Sequence, residues 1–73
     1  MTAFKDVSIH QGIKEFITDT NEEVRAEHNG NGVYRILIKT EGDDCFIQSG
    51  FVRVKKTATC RKIWNAFTAE QAA

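Results

Sequence analysis

Two Asn-Gly pairs in immediate succession, Asn29-Gly30-Asn31-Gly32, constrain this chain more than any other feature. Asn and Gly tolerate the positive φ angles of tight reversals, so Asn-Gly between apolar runs signals a β-hairpin. The chain has no proline, so its reversals rest on Gly, Asn and Asp. A hairpin needs a strand on each side. Val24, Ala26 and His28 alternate with Arg25 and Glu27 before the turn, and Val33 to Thr40 follows it. Residues 23–29 and 33–40 are therefore expected to be paired strands, although Glu22, Glu23 and Ala26 would equally suit a continuation of a preceding helix. The second is apolar on both faces at its middle, which suits a central strand.

A further reversal is expected at Glu41-Gly42-Asp43-Asp44, and a third strand from Cys45 to Val54. Its apolar positions change parity partway. Cys45 and Ile47 share one face, Val52 and Val54 the other, with Ser49-Gly50 between them. One extra residue at Ser49-Gly50, a bulge marked by glycine, would restore the register; the alternative is two short strands with a bend there.

Two helices are expected to flank these strands. Ser8 and Gln11 have the form of a capping box, and Ile9, Ile13, Phe16 and Ile17 follow at helical spacing, interrupted by Gly12. The second helix is expected over 58–69, capped by Thr57, with Cys60, Ile63, Trp64 and Phe67 on one stripe. The expected fold is α+β in two layers, α-β-β-β-α, a three-stranded antiparallel meander packed against helices. Its core would hold Ile13, Phe16, Ile17, Ile36, Ile38, Ile47, Val52, Ile63, Trp64 and Phe67.

Seventy-three residues, 41% of them apolar, point to one small globular domain over 1–73. No apolar run approaches the roughly 18 residues of a membrane span, and the first residues lack the order of a signal peptide. The expectation is a cytoplasmic protein that does not enter membranes, as a monomer or homodimer. Charge is zero overall but divided. Residues 1–32 carry three cations against six acids, and residues 33–73 carry seven against four. The molecule should be dipolar.

Chemistry-bearing motifs are few. Cys45 and Cys60 are far apart and, with His10 and His28, show none of the short spacings of a metal site. His10 and His28 are the two side chains whose ordinary titration suits a general base at neutral pH, and neither has a recognisable nucleophile spacing. There is no phosphate-loop, dinucleotide, serine-hydrolase or zincin string. No enzyme, cofactor or metal is expected.

Charge supplies the two functional expectations. One is a small protein-binding regulator or inhibitor that engages a partner through a sheet edge or through the acids Glu22, Glu23, Glu27, Asp43 and Asp44. The alternative is a nucleic-acid-binding module for duplex RNA or DNA, using Arg53, Lys55, Lys56, Arg61 and Lys62 around the start of the last helix. In that reading Tyr34 or Phe46 would offer an aromatic face to a base. The order α-β-β-β-α, with Lys55-Lys56-Thr57-Ala58 before the final helix and Ala66-Phe67 within it, resembles the double-stranded-RNA-binding domain. The resemblance implies duplex-RNA contacts from the lysines. Thr59, Lys62-Ile63, Phe51–Val54 and Asn29–Gly32 depart from that family's pattern.

Overall fold

The structure is a computed structural model that describes residues 4–10, 12–40 and 42–72. Five strands form one antiparallel meander: β1 (Lys5–His10), β2 (Ile13–Ile17), β3 (Glu23–His28), β4 (Val33–Lys39) and β5 (Ile47–Arg53), in that spatial order. One helix, α1 (Cys60–Ala72), covers one face. The expected α-β-β-β-α order is therefore corrected to five strands and a single C-terminal helix.

The Asn-Gly turn forms as its chemistry requires. The N–H of Asn29 donates to the carbonyl of Val33 (3.0 Å), and β3 pairs with β4 from Glu23↔Lys39 to His28↔Tyr34. The bulge at Ser49-Gly50 is also present: Ile36 faces Gly50 while Leu37 faces Gln48, leaving Ser49 as the extra residue.

The correction lies in the N-terminal third. Where a helix is expected, β1 and β2 form a hairpin closed by His10↔Ile13. Gly12 sits at φ 84°, a turn conformation and not a break in a helix. The expected capping box has no helix to cap; Ser8 lies in β1, and Gln11 lies outside the described residues. Ile9, Ile13, Phe16 and Ile17 fit a 3.6-residue period, but the hairpin splits them between faces. Ile9 and Phe16 lie on the helix side, Ile13 and Ile17 on the other. Three of these four residues are β-branched, and β2 supplies the partner that β3 needs on its second edge.

The core is Phe16, Val24, Ala26, Tyr34, Ile36 and Val52 from the sheet, closed by Ala58, Cys60, Ile63 and Phe67. Ile38 and Trp64 pack against it partly buried. Ile13 and Ile47, expected inside, are 39% and 57% exposed. Trp64 meets the Phe16 ring edge-on (centroids 6.0 Å), and Phe4 stacks on Phe16 (5.0 Å).

Helix α1 starts two residues later than expected. Thr59, not Thr57, is the cap; its hydroxyl accepts from the N–H of Lys62 (3.2 Å). Residues 54–59 form a strap that leaves β5 beside the hairpin turn, with Val54 N–H donating to Gly32 (3.1 Å), and crosses the sheet to the helix start. The Tyr34 hydroxyl donates to the Lys56 carbonyl (2.8 Å). The Lys14 ammonium donates to the Lys56 carbonyl (3.2 Å) and to that of Ala58.

Gly50 is where the helix comes closest. A Cβ there would stand 3.2 Å from Cε1 of Phe67, and the backbone is at φ 150°. Both the steric and the backbone terms oppose a side chain. Gly50→Ala is expected to destabilise the fold by roughly 2 kcal/mol, measured by urea unfolding. Tyr34→Phe, which removes one strap bond, is expected to cost about 1 kcal/mol. Gly30→Ala, with open space around it, serves as the comparison for backbone strain alone.

Candidate functional site

A meander sends alternate connections to the same end of the sheet. The β2–β3 turn (18–22) and the β4–β5 loop (40–46) therefore share one end, although more than a dozen residues separate them in sequence. Glu22, Glu23, Asp43 and Asp44 gather there, with Asp19. Glu27 does not; it lies at the far end of β3, ion-paired with Arg35 across the strand pair. A shallow concavity of about 390 Å³, lined by residues that include Asn21, Glu23, Thr40 and Asp43, lies between the two connections.

Both connections are internally tied. Buried Thr18 organises the first: its hydroxyl accepts from the N–H groups of Thr20 (3.3 Å) and Glu22 (3.1 Å). Asn21 takes the left-handed conformation, φ 64°, which Asn tolerates. In the loop, the Asp43 carboxylate accepts from the hydroxyl and the N–H of Thr40. Phe46 is held under the Arg25 guanidinium, 4.6 Å from the ring centroid. Asp44 is exposed and Glu22 half-buried. Glu41 lies outside the described residues.

The five expected basic residues are dispersed. Arg61 points to the acidic end, where it pairs with Asp19 (3.1 Å) and covers the Phe4 ring (4.2 Å). Its hydrogen bond holds the Asp19 carboxyl below the ordinary carboxylate range. Arg53 follows Val52 and so faces the side of the sheet away from the helix. Lys55 and Lys62 flank a concavity of about 510 Å³ at the helix start, with Val54, Thr57, Ala58 and Thr59. Lys56 is exposed beside them. Neither expected aromatic is available to a base: Tyr34 is fully buried, and Phe46 is already covered by Arg25. The exposed aromatic is Phe51, which the sequence reading passed over. Its parity opposite to Val52 was the signal that could have found it.

Among the described residues, neither histidine side chain is hydrogen-bonded to a Ser, Thr or Cys side chain. His10 is exposed on β1. His28 packs edge-on against Tyr34 (4.9 Å), and its Nδ1 accepts from Gly30 N–H (3.1 Å). Among the described residues, no three His, Cys, Asp or Glu side chains are placed to hold a metal ion, and no helix is long and apolar enough to cross a membrane. No protein-family model, curated protein or solved structure matches this chain.

The two thiols differ. Cys45 is exposed in the β4–β5 loop. Cys60 is buried at the helix start, and burial, aided by the neighbouring Asp6, pushes its thiol up to about 11. A thiol raised in the folded state stabilises the fold below the ordinary thiol value of 9.0, and that contribution is lost as pH climbs towards about 11. In unfolding measurements the wild type should lose stability over this window more steeply than Cys60→Ala. Under native conditions iodoacetamide should alkylate Cys45 and spare Cys60, as read by peptide mass.

Proposed function

We propose that this chain is a small, non-enzymatic protein-binding regulator or inhibitor whose acidic end seats on a cationic surface of a partner protein. The observation that carries this reading is the convergence of Glu22 in the β2–β3 turn, Glu23 at the start of β3 (paired there with Lys39) and Asp43 and Asp44 in the β4–β5 loop onto one end of the sheet. Charge concentrated at one end of a small molecule steers encounter and rejects partners of like charge. The hydrogen bonds of Thr18 and Asp43 pre-order both connections, which lowers the entropy lost on docking. The free thiol of Cys45 suits a reducing compartment, and cytoplasmic action as a monomer or homodimer is part of the proposal.

The free sheet edges are weaker candidates for the contact. Both outer strands carry a register shift, between Asp6 and Ser8 in β1 and at Ser49-Gly50 in β5. Bulges twist an edge away from further pairing.

A second reading rests on one specific feature, the concavity that Lys55 and Lys62 flank at the start of α1. The first-turn N–H groups that the Thr59 cap leaves free favour an anion, so this corner is a candidate contact for a duplex phosphate.

Affinity capture from extracts of the source cells separates the two. Glu22→Lys combined with Asp44→Lys is expected to abolish capture of the protein partner, and Lys55→Glu with Lys62→Glu to leave it intact. Equal capture by the acid-reversed variant would overturn the acidic-end reading. A mobility shift with duplex RNA or DNA at low salt, lost in the lysine-reversed variant, would establish the second reading; a flat titration would remove it.

A further inference from the structure

We propose that the open face of the sheet carries a stacking platform for single-stranded nucleic acid, centred on Phe51. This goes beyond the acidic-end reading and uses the opposite end of the sheet.

Phe51 is 53% exposed on the face that α1 does not cover. Its strand position is fixed by the pairs Tyr34↔Val52 and Arg35↔Phe51, so the ring presents a flat apolar surface on a stiff support. An aromatic side chain held this way accepts the face of any base and loses little entropy in doing so.

The groups around it match the remainder of a nucleotide. Arg53 lies two residues along the same strand on the same face, free of any ion pair among the described residues, while Arg35, across the strand pair from Phe51, is held by Glu27. Gln48, Asn29 and His28 line a concavity of about 290 Å³ with Phe51, Arg35 and Glu27. The two side-chain amides offer donors and acceptors to a base edge.

Charge around the platform is also accounted for. Glu27, the acid at the concavity, is paired with Arg35. Glu70 reaches the β5 edge from α1 near Arg53, without an ion pair to it. Arg53, Lys55 and Lys56 enter no ion pair among the described residues. These three cations follow one another from the platform around the end of the sheet, a track for a phosphate backbone.

The shape favours a single strand. A ring standing on a sheet meets the face of a base only when that base is unstacked, and a duplex hides its base faces. Among the described residues, no helix or strand projects from the open face to enter a groove.

The test is fluorescence anisotropy of short labelled oligo(U) and oligo(dT), with a duplex of matched length, at low salt. Saturable binding of the single strands, tighter than of the duplex, is expected. Phe51→Ala should weaken it about tenfold or more, with an unchanged melting temperature. Phe51→Tyr should retain it. Arg53→Ala should lower the slope of log affinity against log salt. The proposal is overturned if the oligonucleotides do not bind at low salt, if the duplex binds as well, or if Phe51→Ala binds like wild type. It is also overturned if sedimentation shows a dimer that Phe51→Ala dissociates, which would assign the ring to a second copy of the chain. None of these variants alters the acidic end, so failure here leaves that reading standing.

Discussion

The fold depends on how the chain returns from the end of β5 to start its helix above β1 and β2. The strap of residues 54–59 makes that crossing over an apolar sheet, and the carbonyls of Lys56 and Ala58 turn towards side chains of that sheet. An unpaired carbonyl over such a surface costs about 1–3 kcal/mol. The Tyr34 hydroxyl and the Lys14 ammonium remove that cost for both. The arrangement is reciprocal, since Tyr34 is fully buried and Lys14 is half-buried; each needs a partner as much as the carbonyls do. The Tyr34 ring also lies under the Lys14 ammonium, 5.7 Å from centroid to nitrogen. Once the strap is seated, Cys60, Ile63 and Phe67 fall onto Phe16, Ile36 and Val52, and Gly50 leaves room for Phe67.

Strand register is guarded on the opposite face by charge. Glu15 faces Arg25, Glu27 faces Arg35 and Glu23 faces Lys39, each a cross-strand pair joined by an ion pair. Exposed pairs of this kind contribute little stability, on the order of 0.2–1 kcal/mol each. Their value lies in what they forbid. A two-residue slip between β2 and β3 keeps every side chain on its face, but it sets Glu15 against Glu23 or Glu27. The same slip between β3 and β4 sets Arg25 against Arg35 or Lys39. Apolar alternation excludes a one-residue slip, and these charges disfavour a two-residue slip.

What could be read in advance was whatever local chemistry decides. The Asn29–Gly32 reversal, the strands on either side and the bulge at Gly50 depend on glycine and on residue parity within a few positions. The stripe of Cys60, Ile63, Trp64 and Phe67 was legible for the same reason. The N-terminal hairpin was not, because Ile9, Ile13, Phe16 and Ile17 satisfy helical spacing as well as a two-faced hairpin. The deciding fact is non-local: β3 needs a partner on its second edge. Thr57 is expected to cap the helix and Thr59 does, a difference that turns on the Lys56 and Ala58 carbonyls reaching Lys14 across the sheet. Of the candidate surfaces, charge identities were legible, but their grouping required the strand order. That order brings Glu22 to Asp43, carries Glu27 away and takes Arg61 to Asp19.

The edges bear on where the proposed contacts would form. A five-stranded sheet leaves two outer strands with backbone groups open to pairing, and this one also exposes Val7, Ile9, Ile47 and Phe51. Left regular, such strands would pair with copies of themselves. A bulge in each outer strand interrupts the regular ladder that self-pairing would need. Backbone pairing is thereby disfavoured as a mode of contact, and selectivity passes to side chains held at fixed places on the sheet. The acids of two pre-ordered connections stand at one end. Phe51 stands near the other, on β5 next to its bulge, where the same irregularity that protects the edge leaves an aromatic ring facing water.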